Sequence, residues 1–388
     1  VFDLNSEPID KALVLFFPGP NSFTGEDVLE LHVHGGRAVV HDTLEACLGI
    51  SDVRLAEAGE FTRRAFINGK MDLTAAEGLA DLVEAETAAQ RRQALRQMEG
   101  ELAGEVDRWR EALIDCLADA EGDIDFPDED LPPGLSDRAR GRIQDLKGRL
   151  EAFLAESHRA ERVRSGFQVA VIGVPNAGKS SLINRLVRRD AAIVSPVAGT
   201  TRDIIDVRLI LGGMVILISD TAGLRNSPDP IEAEGVRRAR QRAKEADLRL
   251  ALLTSDGDKS EFSDLMTEGD LWLLGQADRL NWPRAGAGEM AVSSVTREGL
   301  DELEALIARR AQADLGNSGS APLTRLRHQE AVLEGIEALD RALGASVHAP
   351  ELVAEDLRLA ARALGRVTGR VDMDDVLDRL FSQFCIGK

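Results

Sequence analysis

Nine residues in the middle of the chain, Gly173-Val-Pro-Asn-Ala-Gly-Lys-Ser-Ser181, constrain its fold more than any other stretch. They fit G-x-x-x-x-G-K-[ST], a phosphate-binding loop, and each fixed position has a physical reason. Gly173 and Gly178 let the backbone turn tightly enough for its N–H groups to face phosphate oxygens. The Lys179 ammonium reaches the β- and γ-phosphates, and the Ser180 hydroxyl can ligate Mg²⁺. The flanks agree: Phe167 to Ile172 is a short apolar run that reads as a buried strand, and Leu182 to Leu186 has helical spacing. Strand, loop and helix in that order put phosphates at a helix N-terminus, where free N–H groups and the helix dipole favour anions. A ligand-free glycine-rich turn is the competing reading, and a weak one.

A length of 388 residues suits two or three domains, and an apolar share of 44% is enough for real cores. The formal charge of −20 argues against holding nucleic acid by massed phosphate neutralisation. A local basic patch or a partner must handle any nucleic acid. Cys47, Cys116 and Cys385 are widely and irregularly spaced, which yields neither a disulfide framework nor a zinc site and points to a reducing cytoplasm. No apolar run approaches membrane-spanning length, and no signal peptide is evident. The first residue is Val rather than Met, so an N-terminal truncation is expected.

Along the chain, Lys11 to Phe17 reads as a strand, Pro18 to Asn21 as a turn, Asp27 to His34 as an alternating strand, and Arg37 to Leu48 as a helix. Residues 1–70 therefore form a modest α+β domain. His32 and His34 share a strand face, but no third metal ligand accompanies them, which favours polar or ligand-facing histidines. From Asp72 to Asp123 there is no proline and apolar residues recur at three- and four-residue steps, which predicts one long amphipathic helix or two in sequence. Phe126 to Pro133 breaks the pattern, and Leu135 to Glu161 is helical again with Leu146, Leu150, Phe153 and Leu154 on one side. Gly316 to Pro322 reads as a flexible linker and Leu323 onward as helical. The expected domains are 1–70, a helical part 71–165, an inserted nucleotide domain 166–317 and a second helical part 318–388.

The loop alone suits ATPases and GTPases alike. Gly199-Thr-Thr-Arg-Asp203 supplies threonines that can place a hydroxyl on Mg²⁺ and a backbone group on the γ-phosphate, the behaviour of a switch segment. Val215 to Ser219 is a buried strand ending in Asp220-Thr-Ala-Gly223, where Asp220 is the carboxylate near Mg²⁺ and Gly223 can sense the γ-phosphate. The set, in this order and spacing, is specific for a GTPase. Two departures stand out. Leu224 occupies the position where many GTPases carry a water-orienting Gln, so another group must act, with Glu232 and Glu234 as acidic candidates. The guanine-reading Asn-Lys-x-Asp motif is reduced to Gly275-Gln-Ala-Asp278, in which Asp278 can still accept from guanine N1–H and N2–H₂. Weaker affinity with unchanged specificity is expected. Val292 to Thr296, with Ser293 and Ser294, forms the last base-contacting loop.

With these motifs the chain resembles, along its whole length, the MnmE (TrmE) family of tRNA-modification GTPases. The marks are Phe17-Pro-Gly-Pro-Asn-Ser-Phe-Thr-Gly-Glu-Asp27, Gly59-Glu-Phe-Thr-Arg-Arg-Ala-Phe66, Ile124-Asp-Phe-Pro127 and the C-terminal Phe384-Cys-Ile-Gly-Lys388. The last separates this family from other phosphate-loop GTPases. The resemblance implies an α+β folate-binding and dimerising domain, an all-α domain from two chain segments, and an inserted Ras-like α/β GTPase domain.

It also implies roles for individual residues. A formyl- or methylene-tetrahydrofolate would meet Glu30, Lys70 and Lys388, while a further folate-contacting arginine would lie upstream of Val1. The first stretch of the dimerising domain would lie upstream with it. Hydrolysis in the family is stimulated by K⁺, which brings two GTPase domains together and sits where other systems insert an arginine finger. Asn176, Ser195, Val197 and Thr200 match its ligands, and Ser180, Thr201 and Asp220 match those of Mg²⁺. Ala177, Gly178, Lys179, Ser181, Thr221, Ala222, Gly223 and the base-reading residues complete the GTP site. Register within the family selects Glu232 over Glu234 as the water-activating acid and places Arg225 in the same switch. Cys385 would stand near the dimer interface, where a thiolate could act as nucleophile or base in the modification.

The function expected is hydrolysis of GTP to GDP and phosphate by a cytoplasmic homodimer. With an FAD- and NADH-dependent partner (MnmG or GidA in the family), it would install an aminomethyl-type group at C5 of the tRNA wobble uridine, the partner supplying much of the tRNA surface. A ribosome-assembly GTPase and a nucleotide-free scaffold are the competing readings. The first lacks a basic RNA-binding domain, and the second conflicts with intact Lys179, Ser180, Thr201 and Asp220.

Overall fold

The structure, a computed structural model, describes residues 1–125, 135–174, 176–187, 206–220, 237, 240–254, 259–279, 288–313, 323–345, 349–370 and 380. The chain divides into two compact units. One comprises Val1–Glu84, Ala94–Leu154 and Leu326–Lys388, and the other Ala85–Gln93 and Ala155–Arg325.

The first unit opens with β1 (Leu13–Phe17) and β2 (Val28–His32), an antiparallel pair in which Leu15 faces Glu30. Both strands are shorter than alternation predicts, because polar side chains claim the end residues. Asp27 turns its carboxylate to the Gly19 N–H (2.8 Å), and Asp10 accepts both the backbone N–H (2.8 Å) and Nδ1 (2.9 Å) of His34. Helices α1 (Arg37–Leu48) and α2 (Glu60–Ile67) follow.

Three helices, rather than the one or two expected from periodicity, fill the next stretch: α3 (Leu73–Glu84), α4 (Ala88–Met98) and α5 (Glu101–Asp125). The break before α4 is a capping box. Thr87 Oγ1 accepts the Gln90 N–H (3.2 Å) while Gln90 Oε1 accepts the Thr87 N–H (3.1 Å), which satisfies two helix-end donors reciprocally. The break after it is Gly100, at φ +85°. Helix α6 (Leu135–Ser165) runs a turn beyond its expected end at Glu161, to Gly166, whose N–H bonds the Arg162 carbonyl (2.9 Å).

Leu146 and Leu150 of α6 are fully buried, and Phe153 meets Trp109 of α5 edge-on at 4.9 Å between ring centres. The helix Pro350–Val367 packs on both the helix Leu326–Gly344 and α5, so segments from both sides of the nucleotide-binding stretch share this unit. Glu77 of α3 is buried there between Arg327 and His328. Burial pushes its carboxyl pKa up, but the charges and hydrogen bonds of those two residues outweigh it and hold the group far below the ordinary carboxylate range.

The second unit carries a six-stranded sheet in the order β4-β5-β3-β6-β7-β8. Its strands are β3 (Phe167–Gly173), β4 (Asp206–Leu211), β5 (Met214–Asp220), β6 (Leu248–Leu253), β7 (Leu271–Leu274) and β8 (Glu289–Ala291). All neighbours are parallel except edge strand β4, which is antiparallel to β5. This is a Ras-like α/β sheet. Strand β6 is buried at every residue and β3 at all but Gln168, as expected for central parallel strands covered on both faces. Helix α7 (Lys179–Val187) and the helix Leu300–Ala313 contribute Leu182, Leu186, Leu303 and Ile307 to the core. No described helix is long and apolar enough to cross a membrane.

Candidate nucleotide-binding site

Strand β3 ends at Gly173 and α7 begins at Lys179, so the phosphate loop occupies the turn between them. Gly173 lies opposite Leu252 of β6, and a Cβ there would stand 2.5 Å from the Leu252 carbonyl oxygen. Only glycine allows this approach. Asn176 and Gly178 both have positive φ, +63° and +98°, and the Leu182 N–H bonds the Gly178 carbonyl (2.8 Å) as α7 starts. Lys179 is buried, and its Nζ donates to the Gly173 (2.9 Å) and Val174 (3.1 Å) carbonyls. Those bonds fold the ammonium back over the start of the loop. Ser180 and Ser181 are exposed in the first turn of α7. Asp220 ends β5 in register with Val171 of β3, on the carboxyl edge of the sheet from which the loop rises. Ligands of open α/β sheets bind at that edge.

The facing side of the site is built by the loops after β7 and β8. Gly275 N–H bonds the Leu253 carbonyl (3.0 Å), and Ala277 N–H bonds that of Val292 (3.2 Å). Ser293 is fully buried, and its Oγ accepts the N–H groups of Val295 and Thr296 (both 3.1 Å) and donates to Asp278 Oδ1 at 2.6 Å. Its single hydroxyl proton thus goes to Asp278, which leaves the rest of that carboxylate for another donor. A cleft of about 220 Å³ brings Ala177, Gly178 and Ser181 of the phosphate loop together with Asp278 and Ser294. Val295, within the expected loop Val292 to Thr296, lines it too, as does Arg279, which motif spacing does not single out and only adjacency to Asp278 marks. At Gly275 a Cβ would lie 3.4 Å from the Ala177 carbonyl oxygen, so the missing Asn leaves the phosphate loop without a side chain where the motif normally places one.

Of the remaining expected site residues, Ser195, Val197, Thr200, Thr201, Thr221, Ala222, Gly223, Arg225, Glu232, Cys385 and Lys388 lie outside the described residues, as does the Asp220 side chain. Glu30 pairs with His32 Nε2 (2.9 Å), and Lys70 donates to the Pro20 carbonyl (2.8 Å). No hydrogen bond or ion pair joins Glu30 to Lys70 among the described residues. His32 and His34 bind different carboxylates, Glu30 and Asp10, and no group of metal ligands forms among the described residues.

A parallel sheet that runs into a phosphate loop at a helix start, with a serine-held aspartate across the cleft, defines a P-loop nucleotide-binding protein of the GTPase class. Comparison with known proteins narrows the class. Residues 1–70 match the family description GTP-binding protein TrmE N-terminus, and residues 73–385 match MnmE helical domain. The tRNA modification GTPase MnmE of Rhodospirillum rubrum is 55% identical over 390 residues, covering 98% of this chain and 85% of its own length. Its namesake in Maricaulis maris is 52% identical over 390 residues, covering 100% of this chain and 88% of its own. Among solved structures, the G domain of the T. maritima FeoB iron transporter covers 38% of this chain at 25% identity and a TM-score of 0.29. The chain belongs to the MnmE family.

Proposed function

We propose that this GTPase hydrolyses GTP to GDP and phosphate with K⁺ stimulation. With an FAD-dependent partner and a one-carbon tetrahydrofolate, it serves the aminomethyl-type modification of C5 of the tRNA wobble uridine. The observation that carries the nucleotide part is the cleft that the phosphate loop shares with Asp278, which Ser293 holds. The tRNA part rests on the relatives, which are named for tRNA modification over nearly the whole length of the chain.

In this reading Asp278 accepts from guanine and Lys179 meets the β- and γ-phosphates. The Ser180 hydroxyl, exposed in the first turn of α7, and a carboxylate at the end of β5 are hard oxygen donors of the kind Mg²⁺ takes, with Thr201 completing the set. Bound Mg²⁺ neutralises phosphate charge. Asn176, Ser195, Val197 and Thr200 would hold K⁺, which supplies the charge of an arginine finger. Glu232 orients the attacking water, with Arg225 in the same segment. Glu30, Lys70 and Lys388 would contact the folate, and Cys385 would act in the modification. The domain division at residues 70, 165 and 317, homodimerisation through the first domain, and a cytoplasmic location belong to the same reading.

The test is GTP hydrolysis in KCl against NaCl at equal ionic strength, with Glu232→Ala and XTP as controls. A K⁺-specific rate that collapses in the variant, with XTP a poor substrate, is expected. Equal rates in both salts, unchanged by the substitution, would overturn the cation-activated mechanism.

A further inference from the structure

We infer that Arg279 is a nucleotide-positioning residue that lays its guanidinium plane against the guanine base, replacing the support lost with the Asn and Lys of the reduced motif. The inference rests on the reading of this cleft as the guanine site. Three observations lead to it. Arg279 lines the cleft together with Asp278, and it is the one cation among the described residues that do so. The guanidinium is exposed, and no carboxylate among the described residues pairs with it, so it is available to a ligand. Its backbone is anchored, since the Arg279 N–H bonds the Gln276 carbonyl (3.0 Å) within a turn whose φ at Gln276 is +60°.

The neighbouring positions cannot supply this contact. Gly275 has no side chain, and Gln276 is an uncharged amide where a Lys stem and ammonium would stand. Asp278 is committed to the base edge and to Ser293. Edge recognition leaves the purine face open. A guanidinium suits that face because it is planar, weakly hydrated and stacks on π-systems, whereas an ammonium does not stack.

Stacking reads no edge, so the contact is indifferent to base identity. It is also equal in the ground and transition states, so it acts on binding and not on the chemical step.

The experiment measures GDP, IDP and XDP binding by calorimetry, and GTP turnover, for the full chain and for Arg279→Ala, Arg279→Lys and Asp278→Asn. Arg279→Ala should weaken all three nucleotides by a common factor of roughly tenfold, raising KM with kcat unchanged. Arg279→Lys should fail to restore affinity. A neutral Arg279→Ala, full rescue by Arg279→Lys, or a loss confined to one base would overturn the inference. Asp278→Asn separates the two levels. If it shifts preference from GDP toward XDP, the guanine site stands and the arginine variants decide the stacking. If it does not, the site reading falls and this inference falls with it.

Discussion

Glu77 and Arg327, 250 residues apart in sequence, form a two-pronged ion pair, with Nε to Oε1 and Nη2 to Oε2 both at 2.6 Å. The carboxylate also meets His328 Nε2 at 2.9 Å, and Arg327 Nη1 reaches the Arg366 and Val367 carbonyls at 3.0 Å. One buried acid on α3 thus fastens the helix Leu326–Gly344, whose Arg327 in turn holds the C-terminal end of the helix Pro350–Val367. Removing it leaves Arg327 half-stranded beside a fully buried histidine, which costs about 3–5 kcal/mol for a buried pair. Glu77→Ala should lower the urea midpoint of unfolding accordingly, while Leu333→Ala, exposed on the helix that carries Arg327, should lower it far less.

Stability should fall with acid. Glu77 and Glu60 both have folded-state pKa values below the ordinary 4.5, and the Glu60 value, lowered to about 2, is set first by the Arg54 hydrogen bonds. A depressed carboxylate contributes stability that is fully present above the unfolded pKa and is lost as pH falls through the folded one. The Glu60 contribution therefore disappears between about pH 4.5 and about pH 2, and that of Glu77 persists lower still. Melting curves from pH 7 to 3 should show a loss beginning near pH 4.5 that is smaller in Glu77→Gln.

Gly173→Ala places a methyl group 2.5 Å from the Leu252 carbonyl, a backbone atom that moves only with its strand. The loop should shift away from β6, and nucleotide affinity should fall by more than about tenfold, equivalent to ~1.4 kcal/mol. Calorimetry with GDP reads this directly.

Gly275→Asn should do the reverse. Its Cβ meets the Leu252 side chain (Cδ1 3.0 Å, Cγ 3.4 Å), which must give by a few tenths of an ångström, and lies 3.4 Å from the Ala177 carbonyl, beside the phosphate loop. One recovered hydrogen bond is worth about 0.5–1.5 kcal/mol, and GDP should bind roughly threefold to tenfold tighter. Unchanged or weaker binding would show that the loop does not accept the restored contact.

Ser293→Ala strips the donor from Asp278 and the acceptor from two backbone N–H groups at a fully buried position. A loss of about 1–3 kcal/mol is expected, shared between folding and guanine binding. The informative readout is the ratio of GDP to XDP affinity, which should drop because Asp278 is no longer held in one orientation.

The local features of this protein were legible before any coordinates. The apolar run into Gly173, the loop glycines and Lys179 are neighbours in the chain, and their conformations are settled by interactions a few residues long. The strand-end Asp220 is legible for the same reason. The Thr87–Gln90 capping box is equally local and readable, yet apolar periodicity alone runs straight through it. Tertiary structure decided the rest. Ser293 holds Asp278 only because the loops after β7 and β8 are brought side by side by parallel strand pairing, and together they face Ala177, about a hundred residues earlier, only because β3 lies inside the same sheet. Glu77 is an unremarked acid in a helical pattern until burial removes its water and makes a distant arginine and histidine its necessary partners. Periodicity, caps and turn residues act over three or four positions and so can be read along the chain. The desolvation that selects ion pairs and aligns a binding cleft exists only once distant segments exclude water together.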